Sequence, residues 1–570
     1  MRREWHKSRS GITEQEQYMR SRACLQWMAV LVAVGLPLAA CSSSSQSKST
    51  SSTSSRSILY VTASEEMSDL NPFTATEQGK TEVLSAIATP ILYINSSNQA
   101  ASQVLQSWTT SNNDRTVTLT LKPNLKWSDG QPLTSADMLM SLLVYLDPTI
   151  SSNAGRIGAV TGQNTIGTNT TAPVSQLKVA GLATPNKSTL QVTLATPDVA
   201  WVNQLALSYY WPILPEHILG KDTLANISKD SYFKTWPVSN GPYLLQKWVN
   251  EQYVEVKKNT NWSGGTAGFQ HVIFEILTSD QMQAQLQTGA IQYMYPVIPT
   301  QIASVKAIKG VSVGEAQGVS ADTLGMNYAA PVLKDPRVRQ AMIYAVNRAG
   351  ICKTVLGGYC TISVPNIRQI APAWSLPATG VNAYNYNPAE AKKLLAEAGW
   401  NPNTVLTFFT RTADAPAYVQ QAMTIFQAEE AAVGIKIKLE NVSTAELLDV
   451  IAKKTGWDGF WVSGANFAVD PSLMSSYMEC SQRYPAGANT SQFCDPTVDS
   501  LFAKGLTEAN QTQRAATYQQ IFTILSNNPS EIYLYNVDSL SAYNSDLKGT
   551  LPTGLNDGSY FNIGSWHWQS

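Results

Sequence analysis

The sequence predicts an α/β protein folded as two lobes, and three observations carry that reading. About 510 residues follow a serine-rich stretch near the N-terminus, more than one hydrophobic core usually organises. Strand-like segments and amphipathic helical segments alternate along this length, with helices prominent in the second half. No internal repeat divides the chain.

The N-terminal region reads as export machinery. Arg20 and Arg22 precede an apolar, uncharged run, Cys24 to Ala40. That run is shorter than the ~20 residues that cross a bilayer and closes on small side chains, the plan of a secretory signal peptide. Met19 offers an alternative start to Met1, with residues 1–18 as a long leader. Leu38-Ala39-Ala40-Cys41 resembles a bacterial lipobox, in which Cys41 is acylated and becomes the first residue. Two or more acyl chains hold a protein stably at a membrane. Residues 41–56 are almost entirely serine and threonine and bury too little to fold. They predict a disordered tether with a reach on the order of 20 Å. The expected place is outside the cell or in the periplasm, anchored on the outer face of the cytoplasmic membrane.

Beyond the tether the elements follow in order. "SILYVTAS" is strand-like, and Val117, Leu119 and Leu121 alternate as in a half-buried strand. Thr134 with Asp137 three residues on signals a helix start. "STLQVTLATP" is a strand, and "SNGPYLLQKWVNEQYVEVKKN" is a strand pair turning near Asn250-Glu251. "HVIFEIL" predicts a strand and "SDQMQAQLQTGAIQ" a helix. Asp335 caps a helix with Pro336 at its first position and a stripe of Val338, Ala341, Met342, Ala345 and Val346. "NPAEAKKLLAEAGW" is a helix from Asn-Pro to Gly399, and "LTFFT", a helix and "IKIKLENV" form a βαβ-like unit. A helix through Tyr518, Ile521, Phe522 and Leu525 precedes a strand, "EIYLYNVDSLSAY".

Composition and motifs exclude several classes. After residue 40 the chain has 34 Lys/Arg against 38 Asp/Glu, a net of −4. That balance does not suit nucleic acid or a polybasic membrane surface, so the lipid is the only expected membrane contact. Cys352, Cys360, Cys480 and Cys494 remain after the anchor, with no C-x-x-C and no neighbouring histidine. Zinc is therefore not expected, and in an exported chain sequence proximity pairs Cys352 with Cys360 and Cys480 with Cys494. A phosphate-cradling loop and a dinucleotide glycine fingerprint are absent, so no cofactor is expected. A secreted hydrolase is the rival class, because Gly310 to Gly314 fits G-x-S-x-G around Ser312. That motif needs a strand-to-helix elbow, and here the serine sits in an alternating strand pattern. His217, His271 and His567 have no catalytic spacing to an acid. The fifteen tryptophans, among them Trp127, Trp211, Trp262, Trp374, Trp400 and Trp461, are scattered and read mainly as core, with one or two available to stack on a ligand.

Ordered segments along nearly the whole mature chain carry a resemblance. They are "LNPF", "LKPNLKWSDGQPLTSADM", "STLQVTL", "LPEHIL", "VSNGPYLL", "DPRVRQAMIYAVNR", "YNPAEAKKLLAEAG" and "WDGFWVSGANFAVDP". Together they are similar to the family 5 solute-binding proteins of ABC importers, the peptide/nickel/opine class. The resemblance implies a periplasmic-binding-protein-like fold. Two α/β lobes, the first with an extra subdomain, are joined by two crossings and close over a ligand cleft by hinge motion. By analogy lobe I is residues 57–326 plus 536–570 and lobe II is 327–535. The implied protein is a monomer that passes its solute to permease subunits and catalyses nothing. Glu77, Gln78, Asn327, Trp374, Asn466 and Phe467 face the cleft by analogy. In peptide-binding members an aspartate in the last segment pairs with the peptide's amino group; here that position is Asn466 or Phe467, and a tryptophan before it is replaced by Gly464. Asp470 remains, before Pro471, as a structural Asp-Pro does in the family. The class implies an oligopeptide-like solute, whereas the missing acid favours a neutral one such as an oligosaccharide.

Overall fold

The computed structural model describes residues 56–569 except 74–76, 98, 152–153, 155–156, 170, 208–210, 363–379, 412–416, 467–469 and 555–559. The export segment, Cys41, most of the tether, Trp374 and Phe467 lie outside the described residues.

Two large sheets organise the chain. The first has seven strands: β1 (Ile58–Ala63), β8 (Tyr243–Val249), β9 (Tyr253–Lys258), β10 (His271–Ile276), β11 (Tyr293–Met294), β12 (Val311–Ala316) and β19 (Ser539–Asn544), in the order β12-β19-β11-β1-β10-β9-β8. β1 runs parallel to β10, Ile58 opposite His271 and Ala63 opposite Ile276. Alternation decides which face is buried: Leu59, Val61, Val254, Val256, Val272 and Phe274 are fully buried. β8 and β9 form the expected hairpin, with Glu251 in its turn at φ 59°.

A four-stranded sheet belongs to the same half. β4 (Leu105–Ser111), β5 (Thr116–Leu121), β6 (Leu182–Asn186) and β7 (Thr189–Thr193) run in the order β4-β5-β7-β6. Small two-stranded pairs, β2 (Tyr93–Ile94) with β3 (Ala100–Ala101) and β20 (Leu547–Lys548) with β21 (His567–Trp568), complete the strands here. The longer helices here are α1 (Gln78–Ile87), α2 (Ser135–Tyr145), α3 (Trp201–Leu207) and α4 (Ser279–Thr288). α2 begins with a capping box: the Thr134 side chain accepts a helix N–H while Asp137 accepts the Thr134 N–H.

The second sheet has six strands: β13 (Ser320–Met326), β14 (Cys360–Ile362), β15 (Val405–Arg411), β16 (Lys436–Val442), β17 (Gly459–Asn466) and β18 (Glu531–Val537), in the order β14-β18-β13-β17-β15-β16. β15 is parallel to both β16 and β17. Around it pack α5 (Pro336–Ala345), α6 (Arg348–Val355), α7 (Pro388–Glu397), α8 (Ala417–Val433) and α9 (Thr444–Ala452); α10 (Pro496–Thr507) and α11 (Gln511–Asn527) enclose a smaller core of their own. Asp335 and Asn387 cap α5 and α7 just before proline, each side chain accepting a first-turn N–H. Val338, Ala341, Met342, Ala345 and Val346 are all buried, although α5 itself ends at Ala345. Cys352 is joined to Cys360 and Cys480 to Cys494.

The two sheets exchange chain at two adjacent points. Residues 317–319 leave β12 for β13, and Asp538 separates β18 from β19. They touch: Gly318 N–H donates to Asp538 Oδ1 (3.2 Å), and a Cβ on Gly318 would lie 1.8 Å from the Val537 carbonyl, so only glycine fits. Two differences from expectation follow. β13 hydrogen-bonds in the second sheet, so the crossing comes before it and not after Met326. The run "EIYLYNVDSLSAY" is two strands in different sheets, not one, with the return at Asp538 rather than at Asn536. A strand's sheet is set by its partners, and those of β13 lie more than a hundred residues away at β17 and β18.

Candidate functional site

In open α/β sheets, ligands gather where parallel strands end, because the following loops and helix N-termini converge there. In the first sheet β1 and β10 end together, and the loop after β1 leads to α1. That loop is tightly braced. Glu82, fully buried, accepts the Ser64 N–H (2.9 Å), and Glu65 accepts the Gln78 N–H at the start of α1. Glu77 accepts from Ser68 N–H (3.1 Å) and Oγ–H (2.8 Å) and lies 3.5 Å from Lys80 Nζ, which also pairs with Asp69 at 2.8 Å. In "LNPF", Asn71 accepts from Phe73 N–H and donates to the Ser228 carbonyl, locking the loop's turn. Beside it opens a recess of about 680 Å³, lined by Glu65, Glu251, Tyr253, Glu275, Thr278 and Gln281 among others. Burial raises the Glu275 carboxyl above its ordinary value.

In the second sheet β15, β16 and β17 run the same way, so their C-terminal ends share one edge. Ser320 opposite Asn466 places the start of β13, and hence the first crossing, at that same edge. Asp322 sits where β13 shifts register against both neighbours, a bulge. It is 3% exposed and accepts a hydrogen bond from Tyr418 Oη (3.0 Å) in the first turn of α8. Sequence reading missed this pair; an aspartate between alanine and threonine, and a tyrosine nearly a hundred residues on, carry no joint signal.

The structure treats the expected cleft residues unequally. Glu77 and Gln78 do stand at the N-terminus of α1, beyond the end of β1. The backbone of Asn466 ends β17 at the edge nearest the crossings. Asn327 is not at the hinge. It follows the other end of β13, where Met326 faces Gly459, roughly 20 Å from Asn466 at ~3.3 Å per residue. Its amide is buried and donates to the carbonyls of Trp457 (2.9 Å) and Lys454 (3.2 Å), while its Oδ1 accepts from Ala329 N–H. It braces the turn before β17.

No catalytic constellation forms among the described residues named as candidates. Ser312 lies within β12, and its hydroxyl is 2.9 Å from that of Ser545. The strand runs antiparallel to β19 without the elbow an acyl-transfer serine needs. His217 lies 2.9 Å from Asp129, and His271, four strands from β12 in the sheet order, lies 2.8 Å from Glu255. No described helix is long and apolar enough to cross a membrane.

The model for bacterial extracellular solute-binding proteins, family 5, matches residues 99–484. The chain belongs to family 5 of the bacterial extracellular solute-binding proteins. This family 5 protein is 27% identical over 464 residues to a Brucella ovis protein named as an ABC transporter peptide-binding protein, 80% of this chain and 82% of that one. It is 24% identical over 496 residues to the glutathione-binding protein GsiB of Salmonella paratyphi A, 86% and 91% of the two chains. Among solved structures, the substrate-binding protein CtaP of Listeria monocytogenes superposes with a TM-score of 0.76 at 20% identity, over 90% of this chain and 99% of that one. The oligopeptide-binding protein AppA of Bacillus subtilis, in complex with a nonapeptide, gives 0.72 at 20% identity, with the same coverage. The fold is thus the two-lobe one of this family, whose members are non-enzymatic solute-binding components of ABC transporters.

Proposed function

We propose that this family 5 protein captures a peptide-like solute outside the membrane and hands it to the permease of an ABC importer. The observation that carries the reading is the shared chemistry of the named relatives: GsiB is named for glutathione, a tripeptide, and AppA holds a nonapeptide. In this reading lobe I is Ser57–Ala316 with the segment from Ser539, lobe II is Ser320–Val537, and the solute lies against the ends of β1 and β17. Cys41 carries the lipid, residues 41–56 are the tether, and the protein works as a monomer. A neutral solute such as an oligosaccharide is the second reading, favoured by an amide at Asn466 where peptide binders of this class place an acid. Mass spectrometry of solute co-purified with the protein tests both. Peptides in the released fraction support the first reading, and carbohydrate overturns it in favour of the second. Retention of a Cys41→Ala variant in the membrane fraction would refute the anchor.

A further inference from the structure

The lobes meet at a second place, made by neither crossing. In the loop between β7 and α3, Val199 N–H donates to the Leu506 carbonyl in the last turn of α10 (3.1 Å). Leu473 packs against both the lobe I core and the small core under α10 and α11. The ground beneath Leu506 is rigid. Arg514 makes two charge-assisted hydrogen bonds to Asp470 (2.7 and 2.6 Å), and its Nε donates to the Gly505 carbonyl (2.7 Å).

Asp198, next to Val199, is 3% exposed. Its Oδ1 accepts the Ala200 N–H (2.9 Å), the Gln204 side chain also hydrogen-bonds the carboxyl, and its Oδ2 is buried. Gly158 closes over that oxygen: a Cβ there would come within 2.3 Å of Oδ2. The charges acting on Asp198 across the boundary are Asp470, which repels it, and Arg514, which attracts it. Tyr518 of α11 feels the Asp198 charge in turn. Asp470 pairs with Arg514, so the Arg514 charge offsets only part of the burial of Asp198. The other charged residues flanking these contacts are Asp114 and Arg115 of the β4–β5 turn, and Lys504 with Glu508, which pair with each other at 3.5 Å. An ionised carboxylate in that seat is buried and only partly compensated, by the Ala200 and Gln204 hydrogen bonds and the Arg514 charge.

We infer that Asp198 and the Gly505–Leu506 edge form a latch between the lobes, seated when the Asp198 carboxyl is neutral and released when it ionises. Burial, with the Asp470 charge adding to it, raises this carboxyl from 3.8 to about 6 despite the Ala200 and Gln204 hydrogen bonds and the Arg514 charge. The sign follows from that direction. Parting the lobes removes the share of that burial, and the Asp470 charge, that lobe II supplies, so the docked state binds the proton more tightly. Docking therefore strengthens as pH falls through about 6 and weakens as pH rises. If the whole shift comes from docking, the docked-to-parted ratio rises up to about tenfold between pH 7.5 and pH 5. The inference rests on the two-lobe fold and on no particular solute.

Hydrogen exchange at the Val199 amide reads the latch directly, in the full chain extracted in mild detergent, after correction for intrinsic exchange. The Leu194 amide, bonded to the Arg115 carbonyl within lobe I, is the internal control. The expected result is a rise of up to about tenfold in Val199 protection from pH 7.5 to pH 5, most of it below about pH 6, with Leu194 unchanged. An Asp198→Asn variant keeps the Oδ1 acceptor without the charge and should show high, pH-independent protection. A flat wild-type profile overturns the latch, and so does an Asp198→Asn profile as steep as wild type. If the variant fails to fold, the wild-type titration decides alone.

Discussion

Replacing Asp470 by asparagine isolates a charge in the interior of lobe II. Asp470 is fully buried, and the Arg514 side chain is 5% exposed. Asparagine can still accept the Ser472 N–H that Asp470 accepts at 2.9 Å, so the local turn keeps its cap. What is lost is one of two parallel charge-assisted bonds and the whole counter-charge. Two unit charges ~4 Å apart at an effective dielectric near 20 interact by about 4 kcal/mol. Breaking a buried pair from one side costs about 3–5 kcal/mol by direct measurement on other proteins. The two figures agree, so Asp470→Asn should lose about 3–5 kcal/mol of stability, a large share of the ~5–15 kcal/mol usual for folded proteins. Urea unfolding followed by tryptophan fluorescence measures it, since Trp461 and Trp457 lie buried in the same lobe. The double variant Asp470→Leu with Arg514→Met should recover most of the loss, because no charge is then stranded. A loss below about 1 kcal/mol for Asp470→Asn would refute the reasoning, and would mean that water reaches Arg514 when its partner is neutral.

Three further outcomes are expected. Glu430 on α8 is fully buried with both carboxyl oxygens unpartnered, and burial, with the Glu429 charge, holds its carboxyl well above the usual range; stability should therefore fall as pH rises above about 4.5, and Glu430→Gln should reduce that slope, gaining on wild type by up to ~1.4 kcal/mol per pH unit in urea titrations at pH 5 and 8. Glu531, pushed up to about 7 by burial, adds a slope of the same sign in both proteins, so only equal slopes would count against the assignment to Glu430. Removing the Cys480–Cys494 bridge, which closes 14 residues, should lower stability by about 3 kcal/mol, and no change on reduction or on Cys480→Ala/Cys494→Ala would show that the loop is held by other contacts. Asn466→Asp should raise affinity for free-amino peptides and leave neutral ligands unchanged or weaker in calorimetry, and tight wild-type binding of ordinary dipeptides that N-acetylation abolishes would show that another acid supplies the charge.

Local chemistry was legible because its causes lie within a few residues. Thr134 with Asp137, Asp335-Pro336 and Asn387-Pro388 each satisfy the open N–H groups of a helix end, whatever surrounds them. Alternation in β5, β9 and β10 needed only one wet and one buried face. The family was legible for a related reason: many such segments recur in one order. The sequence by itself therefore determined which segments are strands and helices, and that they build a two-lobe binding fold. Only the tertiary structure decided where those segments go. β13 joins the second sheet because β17 and β18 offer it partners, and Asp538 splits one apolar run between two lobes. The same choice moves the crossing away from Asn327 and toward Asp322. The meeting of Asp198 with Asp470 and Arg514, across about three hundred residues, depends on two lobes packing against each other. Pairing and burial of this kind are set by distant neighbours, and local propensity carries no record of them.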